Sequence, residues 1–181
     1  SLKRSMSILS NTTDSNSVAV SLGSNLPYLN RSPREIVLAA IQSLRSISIE
    51  AEASSLYLSE PIDCPLGTGD FINAAMILRL SSKISASELL AVLQGIEADY
   101  GRARSAEQNQ ARTLDIDIIS YGNQVLESAH LILPHPRAAQ RRFVLMPLVE
   151  IHPEMVLPGQ SENIAQLLDL LPRIENVHLL A

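Results

Sequence analysis

The stretch Phe71-Ile-Asn-Ala-Ala-Met-Ile-Leu-Arg-Leu80 is a near-continuous apolar run of the length of a strand. A run of this kind predicts a strand that is buried on both faces at the centre of a sheet. The residues before it, 59–70, are rich in Pro, Gly and Asp and predict a loop. The residues after it predict a helix to about Tyr100, because Ser85-Ala-Ser-Glu88 forms a capping box and apolar residues then recur at helical spacing.

Strand and helix signals continue on either side of this run. A short apolar strand over 18–22 stops at Gly23-Ser24-Asn25, and Ser32-Pro-Arg-Glu35 is a capping box that starts a second helix. Further strands are predicted over 47–58 and 114–121, the latter followed by a returning strand over 124–126. Helices are predicted over 142–150, interrupted at Pro147, and over 162–171. This mixed order predicts an α+β protein with helices packed on a sheet.

The bulk properties predict one globular domain without a nucleic-acid or membrane partner. The 181 residues are 46% hydrophobic and 18% charged, with a net charge of -5, which argues against general affinity for phosphate backbones. No apolar run is long enough to cross a bilayer. The single cysteine, Cys64, allows no disulfide within one chain, so we expect a cytoplasmic location. Residues 1–16 are predicted to be a flexible tail and residues 17–181 a single domain.

Two carboxylates lie close together in the run Arg112-Thr-Leu-Asp-Ile-Asp-Ile118. Asp115 and Asp117 are two residues apart on a predicted strand, so both side chains project from the same face. Such a pair repels itself unless a cation lies between the carboxylates, and magnesium is commonly bound by one or two carboxylates plus substrate phosphates. The solvated outer face of an edge strand would show the same pattern, and spacing alone does not decide between the two.

Arginines surround this acidic pair in sequence. Arg102, Arg104 and Arg112 fall within one short stretch of an acidic protein. Guanidinium groups bind phosphate oxygens with paired hydrogen bonds and neutralise charge in a phosphoryl-transfer transition state. Carboxylates with a metal on one side and arginines on the other are what that chemistry needs. A solvated loop with ion pairs to Glu107 or Asp99 is the simpler alternative for the arginines alone.

The common nucleotide-binding glycine motifs are missing from the sequence. There is no Gly-x-x-x-x-Gly-Lys-Ser/Thr and no Gly-x-Gly-x-x-Gly, which excludes a P-loop enzyme and a glycine-loop protein kinase. The chain has only two phenylalanines, Phe71 and Phe143, and Asn73 shares a strand face with the first. A ring beside an amide suits a flat heterocycle, although both rings could equally be ordinary core.

An ordered set of motifs gives a resemblance to a known family. The set comprises Gly23-Ser-Asn-Leu26, Glu60-Pro61, Phe71-Ile-Asn-Ala-Ala75, Glu97, Gly101-Arg-x-Arg104, Arg112-Thr-Leu-Asp-Ile-Asp-Ile118, Leu133-Pro-His-Pro136, Arg141-Arg-Phe143 and Pro147-Leu148. In this set the chain resembles the 6-hydroxymethyl-7,8-dihydropterin pyrophosphokinase family of folate biosynthesis, from about Val18 to Pro158. The Arg-Thr-Leu-Asp-Ile-Asp run is the most specific part of the match.

The resemblance implies a fold and a reaction. The fold would be a ferredoxin-like antiparallel sheet with helices packed on both faces. The reaction would transfer the β,γ-diphosphate of ATP to the hydroxymethyl oxygen of 6-hydroxymethyl-7,8-dihydropterin and release AMP. Such enzymes also occur fused to, or beside, other folate-pathway enzymes. A non-catalytic pterin- or nucleotide-binding module is the alternative, but it would be expected to lose the aspartates or arginines that this sequence retains.

The resemblance also implies roles for individual residues. Asp115 and Asp117 match the ligands of two magnesium ions, and Arg102 and Arg112 match the catalytic arginines, of which Arg112 also contacts ATP. The remaining ATP-binding positions match Gln94, Glu97, Arg104, His135 and Arg141. The pterin-binding positions match Ser59, Ile62, Phe71, Asn73 and Phe143. The loops over 60–70 and 101–111 would close over the substrates. Ser105, Asn109, Gln110-Ala111 and Pro136 depart from the family pattern and bear on closure and ATP affinity.

Overall fold

The computed structural model describes residues 15–62, 64, 66–102 and 111–180. Residues 1–14 of the predicted tail lie outside these ranges, as do Arg104, Ser105, Asn109 and Gln110 of the predicted loop. Across the described part of the chain, no helix has the length and apolar character needed to cross a membrane.

The described residues form eight strands and four α-helices. The strands are β1 (Ser17–Ser24), β2 (Ser48–Ala53), β3 (Tyr57–Ser59), β4 (Phe71–Leu80), β5 (Asp115–Tyr121), β6 (Leu126–Glu127), β7 (Ile132–Leu133) and β8 (Val177–Leu179). The helices are α1 (Pro33–Ser46), α2 (Ala86–Asp99), α3 (Arg142–Ile151) and α4 (Ile164–Leu170), with a short 3₁₀ helix at Ala138–Gln140.

The strand β4 is central in the sheet, as its apolar run predicts. On one side it pairs with β1, and on the other it pairs with β2 and β3 in succession. The sheet continues through β5, which pairs with β1, and through β8, which pairs with β3. All of these pairings are antiparallel. The unit β1-α1-β2-β4-α2-β5 with the strand order β5-β1-β4-β2 is the ferredoxin-like arrangement, so the predicted α+β fold is confirmed.

Helices cover both faces of this sheet. Val18, Val20 and Leu22 point to the face covered by α1 and α2, whereas Ala19 points to the face that packs against α3 and α4. The strand β5 alternates in the same way. Ile116 and Ile118 point to the face covered by α1 and α2. Asp115, Asp117 and Ile119 therefore point to the second face, which is the one covered by α3 and α4.

The helix starts follow the predicted chemistry. In α1 the Ser32 hydroxyl accepts from the Glu35 N–H at 3.2 Å, and the Glu35 carboxylate accepts from the Ser32 N–H at 3.0 Å. The same reciprocal pair joins Ser85 and Glu88 at the start of α2. Both capping boxes satisfy amide groups that no helical carbonyl can reach, so both predicted helix starts are confirmed.

Two local predictions need correction, and one strand was not predicted. The returning strand over 124–126 is wrong, because Leu126 pairs with Leu133 in a separate β6–β7 hairpin whose turn is held by the Ser128 hydroxyl. Helix α3 is not interrupted, because it continues through the buried Pro147. The strand β8 was not predicted, since its three residues join the sheet through pairing to β3 and carry no alternating pattern of their own.

Candidate active site

Three neighbouring strands form the floor of the main pocket. In the register of the sheet, Gly23 of β1 lies opposite Asn73 of β4 on one side and Asp115 of β5 on the other. Two residues away, Ser21 lies between a small residue of β4 and Asp117. Ser21, Gly23, Asn73, Asp115 and Asp117 line a cavity. Its volume of about 370 Å³ is within the range of small-molecule sites.

The absence of a side chain at Gly23 keeps the centre of this floor open. A Cβ atom at this position would lie 3.4 Å from Asn73 Oδ1 and 3.7 Å from a ring carbon of Phe71. Any larger side chain would therefore project between the amide and the ring. The glycine lies within the buried strand β1 and costs the strand a packing contact, which is a usual sign of close approach by a ligand.

Asp115 is surrounded by arginines. Arg102 Nη1 donates to Asp115 Oδ1 at 2.7 Å, and Arg112 Nη1 donates to Asp115 Oδ2 at 2.9 Å. Arg102 also forms an ion pair with Glu97 of α2. Burial acts to lower the pKa of Arg102, but the two carboxylates outweigh it and raise this pKa above its usual value.

Glu97 of α2 holds the start of β5 through hydrogen bonds. Its side chain is 7% exposed, and its carboxylate accepts from the Ile116 N–H at 3.0 Å as well as from Arg102. Burial raises the pKa of Glu97, Arg102 and the Ile116 amide oppose that shift, and Asp115 adds to it. Glu97 is thus the link that fixes Arg102 and the backbone between the two aspartates.

Asp117 carries the least compensated charge at the site. Arg102 and Arg112 form ion pairs with Asp115, whereas no ion pair within the described residues involves Asp117. Burial raises the pKa of Asp117 from 3.8 to about 7, with repulsion from Asp115 and Glu97 adding to the shift. Arg112 and Arg141 oppose it without cancelling it. A cation beside Asp117 would remove this strain, since an opposite charge favours the ionised carboxyl.

The chemistry of the donors fits magnesium only in company with a ligand. Among the residues that the structure describes, no three His, Cys, Asp or Glu side chains come together to hold a metal ion. Asp115 and Asp117 offer hard oxygen donors on one strand face. Because magnesium typically takes one or two carboxylates and completes its coordination with phosphates and water, the pair suits a magnesium–nucleotide complex rather than a permanent ion.

Asn25 fastens the backbone at Arg112. Its Oδ1 accepts from the Arg112 N–H at 2.7 Å, and its own N–H donates to the Arg112 carbonyl at 3.0 Å. The side-chain amide also donates to the Gly69 carbonyl at 3.2 Å. One residue after β1 therefore holds both the arginine that precedes β5 and the end of the loop over 60–70. The sequence placed Asn25 in a turn and gave it no such role.

Two aromatic rings and an amide form the other half of the pocket. Phe71 and Phe143 both line the cavity, and neither is fully buried. Asn73 is 2% exposed and its Nδ2 donates to the Ser59 hydroxyl at 2.6 Å, which leaves its Oδ1 beside Gly23. Arg141 lies over the Phe143 ring at 5.5 Å from its centroid. The rings are therefore exposed to the cavity rather than enclosed in the core.

The structure brings most of the predicted site residues together. Those that line the cavity are Ser59, Ile62, Phe71, Asn73, Arg112, Asp115, Asp117, Arg141 and Phe143. Arg102 and Glu97 reach this group through Asp115 and β5. Gln94 lies half-buried on α2 and is not part of the cavity lining. The charges of Arg141 and Asp115 both act on His135. Burial is the main cause that lowers the pKa of His135, and Arg141 lowers it further.

Several lining residues were not predicted. They are Ser21, Leu22, Gly23, Glu60, Cys64, Arg137, Gln140 and Glu175. Alternation along β1 places Ser21 on the same face as Gly23, so this residue had a detectable signal. Arg137 precedes the 3₁₀ helix and Gln140 is its last residue, and Glu175 lies in a segment where nothing in the sequence points to a site.

Fold and pocket together define a ferredoxin-like α+β protein whose pocket has carboxylates and arginines on one side and two aromatic rings on the other. The chain matches the 7,8-dihydro-6-hydroxymethylpterin-pyrophosphokinase (HPPK) family over residues 19–153, and it belongs to that family. The family predicted from the motifs and the enzyme class, a pyrophosphokinase rather than a non-catalytic binding module, are confirmed.

Curated relatives carry the corresponding name. The 2-amino-4-hydroxy-6-hydroxymethyldihydropteridine pyrophosphokinase of Synechocystis sp. is 40% identical over 151 residues, which are 83% of this chain and 73% of the relative. The Haemophilus influenzae protein of the same name is 36% identical and covers 78% of this chain and 85% of its own length. A folic acid synthesis protein of Pneumocystis carinii is 36% identical over 86% of this chain, which spans only 20% of that longer protein.

Solved structures share the fold. A crystal structure of a Plasmodium falciparum HPPK-DHPS triple mutant superposes with a TM-score of 0.65 at 14% identity, covering 85% of this chain and 43% of that one. The wild-type Plasmodium falciparum HPPK-DHPS gives 0.63 at 15% identity, with 85% and 40% covered. The chain thus spans less than half the length of these structures.

Proposed function

We propose that this chain transfers the β,γ-diphosphate of ATP to the hydroxymethyl group of 6-hydroxymethyl-7,8-dihydropterin. A bond forms between the hydroxymethyl oxygen and the β-phosphorus of ATP. The bond from that phosphorus to the α,β-bridging oxygen breaks, the hydroxyl proton is lost and AMP leaves. The proposal rests on the family membership and on the pocket described above.

One observation carries the proposal. Asn73, Gly23 and Asp115 occupy the same level of three adjacent strands. Neighbouring strands are about 4.8 Å apart, so the amide and the carboxylate are separated by roughly 10 Å of open floor. A bicyclic heterocycle bound by its edge at Asn73 extends across Gly23, and its far substituent then approaches the carboxylates.

The aromatic half of the pocket suits the pterin. Phe71 and Phe143 offer ring faces, and Asn73 offers a carbonyl oxygen for the polar edge of the ring system. The Ser59 hydroxyl fixes the orientation of that amide by accepting from its nitrogen. Ser59 and Ile62 line the same wall, and we expect their backbone groups to contact the substrate.

The charged half of the pocket suits the phosphates. Arg112 and Arg141 line the cavity and would bind phosphate oxygens with paired hydrogen bonds. Asp115 and Asp117 would hold two magnesium ions, which when bound neutralise phosphate charge and help to activate the pterin hydroxyl. Arg102 is paired with Asp115 before ATP arrives. We expect it to exchange that partner for a phosphate oxygen in the closed enzyme.

The nucleotide side extends toward α2 and His135. We propose that Gln94, Glu97, Arg104 and His135 contribute to the nucleotide site when the loop over 101–111 closes. The lowered pKa of His135 keeps its imidazole neutral near pH 7, so it can both accept and donate a hydrogen bond.

The single free cysteine and the requirement for ATP support a cytoplasmic location for the reaction. Relatives from Pneumocystis carinii and Arabidopsis thaliana are longer proteins named for folate synthesis, of which the chain spans 20% and 28%. We propose that the product passes to a further folate-pathway enzyme, whether that enzyme is linked to this domain or separate.

The reaction is tested by incubating the protein with ATP, magnesium and 6-hydroxymethyl-7,8-dihydropterin and separating the nucleotides. The expected products are AMP and the pterin diphosphate in equal amounts. Formation of ADP instead would mean transfer of a single phosphoryl group, and no AMP above background would refute the proposal.

The metal assignment has its own test. Asp117→Ala is expected to abolish AMP formation while the protein still folds. The magnesium that neutralises the phosphate charge would lose one of its carboxylate ligands. Asp169→Ala on the exposed side of α4 is the matched control and keeps full activity. Activity near the wild-type level in Asp117→Ala would contradict the assignment.

A further inference from the structure

The last described residues of the chain run along one border of the pocket. β8 pairs antiparallel with β3, so that Val177 lies opposite Ser59, and the Leu180 N–H donates to the Leu56 carbonyl at 2.9 Å. This pairing brings the two residues that precede β8, Glu175 and Asn176, next to the point where β3 ends. The family match stops at residue 153, so this segment lies beyond it.

Glu175 caps the helix that carries one of the aromatic rings. Its Oε2 accepts from the Arg142 N–H at 3.0 Å, which is the first amide of α3. The N-cap residue of α3 is Arg141, and its side chain makes no capping bond. A carboxylate at this end of a helix is favoured by both the free amides and the helix dipole. The cap is therefore supplied from a segment 33 residues further along the chain.

Asn176 fastens the opposite wall. Its carbonyl accepts from the Glu60 N–H at 3.3 Å, and its Nδ2 donates to Glu60 Oε1 at 3.1 Å. Glu60 directly follows Ser59, whose hydroxyl holds the Asn73 amide. Two consecutive residues thus hold two different walls of the same cavity, and Glu175 is itself part of the lining.

We propose that Glu175 is a positioning residue for pterin binding, acting by capping α3 and thereby holding Phe143 at its distance from the β3–β4 wall. This inference rests on the function proposed above. Phe143 lies one residue after the capped amide, so its ring direction depends on the first turn of α3. Asn176 supports the same geometry from the β3 side. Glu175 acts through α3 and needs no contact with the substrate.

The bond from Arg142 predicts which changes are tolerated. A glutamine at position 175 keeps an oxygen that can accept from the amide, whereas an alanine leaves the amide without its partner. Loss of the cap lets the first turn of α3 open. The Phe143 ring then has to be ordered when the pterin binds, which costs binding free energy. The cost therefore falls on pterin affinity. ATP affinity depends on Arg112 and the carboxylates of β5, which the cap does not touch, and on Arg141, which directly precedes the capped amide. It is therefore expected to fall less than pterin affinity.

The experiment compares Glu175→Ala, Glu175→Gln and the control Glu162→Gln, whose carboxylate bonds to the neighbouring Ser161 hydroxyl away from the pocket. Pterin binding is measured by fluorescence in the presence of magnesium and a non-hydrolysable ATP analogue. Glu175→Ala is expected to weaken pterin binding about five- to tenfold, with ATP binding changed less than about twofold. Glu175→Gln and the control are expected to stay within about twofold of the wild type.

A second measurement reads the cap directly. Hydrogen exchange at the Arg142 amide is expected to be slow in the wild type and in Glu175→Gln, and fast in Glu175→Ala. Wild-type pterin affinity in Glu175→Ala, or equal loss of pterin and ATP binding, would overturn the inference. If Glu175→Ala does not fold, Glu175→Asp decides, because its shorter carboxylate withdraws from the amide and should weaken pterin binding. A wild type that binds no pterin would refute the proposed function instead, and the exchange rates would still test the cap.

Discussion

Replacing Asp117 by asparagine should stabilise the ligand-free protein while destroying its activity. The carboxyl of Asp117 has no ion pair among the described residues, and burial together with two nearby carboxylates raises its pKa from 3.8 to about 7. A raised pKa in the folded chain means that the folded chain binds this proton more tightly than the unfolded chain. The corresponding stability is complete below pH 3.8 and is lost as the pH rises to about 7.

The size of the effect follows from the shift. Three pKa units correspond to about 4 kcal/mol at about 1.4 kcal/mol per unit, which is the upper bound on the loss at pH 8. Asp117 is partly exposed and Arg112 lies nearby, so water and the guanidinium recover part of this amount. We expect Asp117→Asn to raise the free energy of unfolding by about 2 kcal/mol at pH 8. For a chain of this length that is about 4–8 °C in the melting temperature.

The assay is thermal unfolding with EDTA at pH 8 and at pH 4.5, alongside AMP formation with magnesium at pH 8. The stabilising difference should be present at pH 8 and small at pH 4.5, where the wild-type carboxyl is protonated. The exposed Asp169→Asn is the control and should change neither quantity. A variant that is less stable than the wild type at pH 8 would refute the reasoning, because it would show that the charge is compensated in the folded chain.

Two further substitutions test the geometry of the pocket floor, and a third tests the hydrogen bond between a tyrosine of β3 and a carboxylate of α3. Asn25→Ala removes the 2.7 Å bond from the Arg112 N–H and should lower kcat/KM about tenfold or more, measured by steady-state AMP release. Gly23→Ala places a Cβ 3.4 Å from Asn73 Oδ1 and should raise the pterin KM about tenfold while leaving ATP binding unchanged, which a two-substrate kinetic analysis would show. Tyr57→Phe should lower the free energy of unfolding, measured in urea at pH 7, by about 1 kcal/mol, because it removes the hydrogen bond to the Glu150 carboxylate. Burial and this carboxylate raise the pKa of Tyr57 to about 12. The variant should therefore lose the tyrosine that titrates near pH 12 in ultraviolet absorbance. The stability linked to that phenol is present below pH 10 and is lost toward pH 12.

Much of the fold was predictable because its signals are local. The apolar run of β4 predicts a central strand, and the two capping boxes fix the starts of α1 and α2 within one residue. Alternation in β5 separates Asp115 and Asp117 from Ile116 and Ile118 before any tertiary contact is known. In each case a pattern of a few neighbouring residues is enough to predict the structure.

The remaining features depend on contacts between distant parts of the chain. Asn25 meets Arg112 across 87 positions, and Glu175 meets Arg142 across 33. The polar run around each residue allows a bond to almost any partner, so the sequence alone does not choose one. The short β6–β7 pairing failed to be predicted for a similar reason. Two residues on each strand give too little alternation to distinguish one partner from another.

The location of the pocket follows from how the second face of the sheet is covered. Helices α3 and α4 pack on this face over Ala19, Ile77 and Ile119, so the middle of the strands is covered by apolar side chains. One level nearer the start of β5 the same face carries Ser21 and Asp117 in place of apolar residues, and no core cluster covers them. A protein selected only for stability would continue the apolar pattern here, because a half-buried carboxylate and a glycine without a side chain both weaken a sheet. The places where the sequence breaks its own strand pattern are therefore the places where the fold leaves room for substrate and its charge.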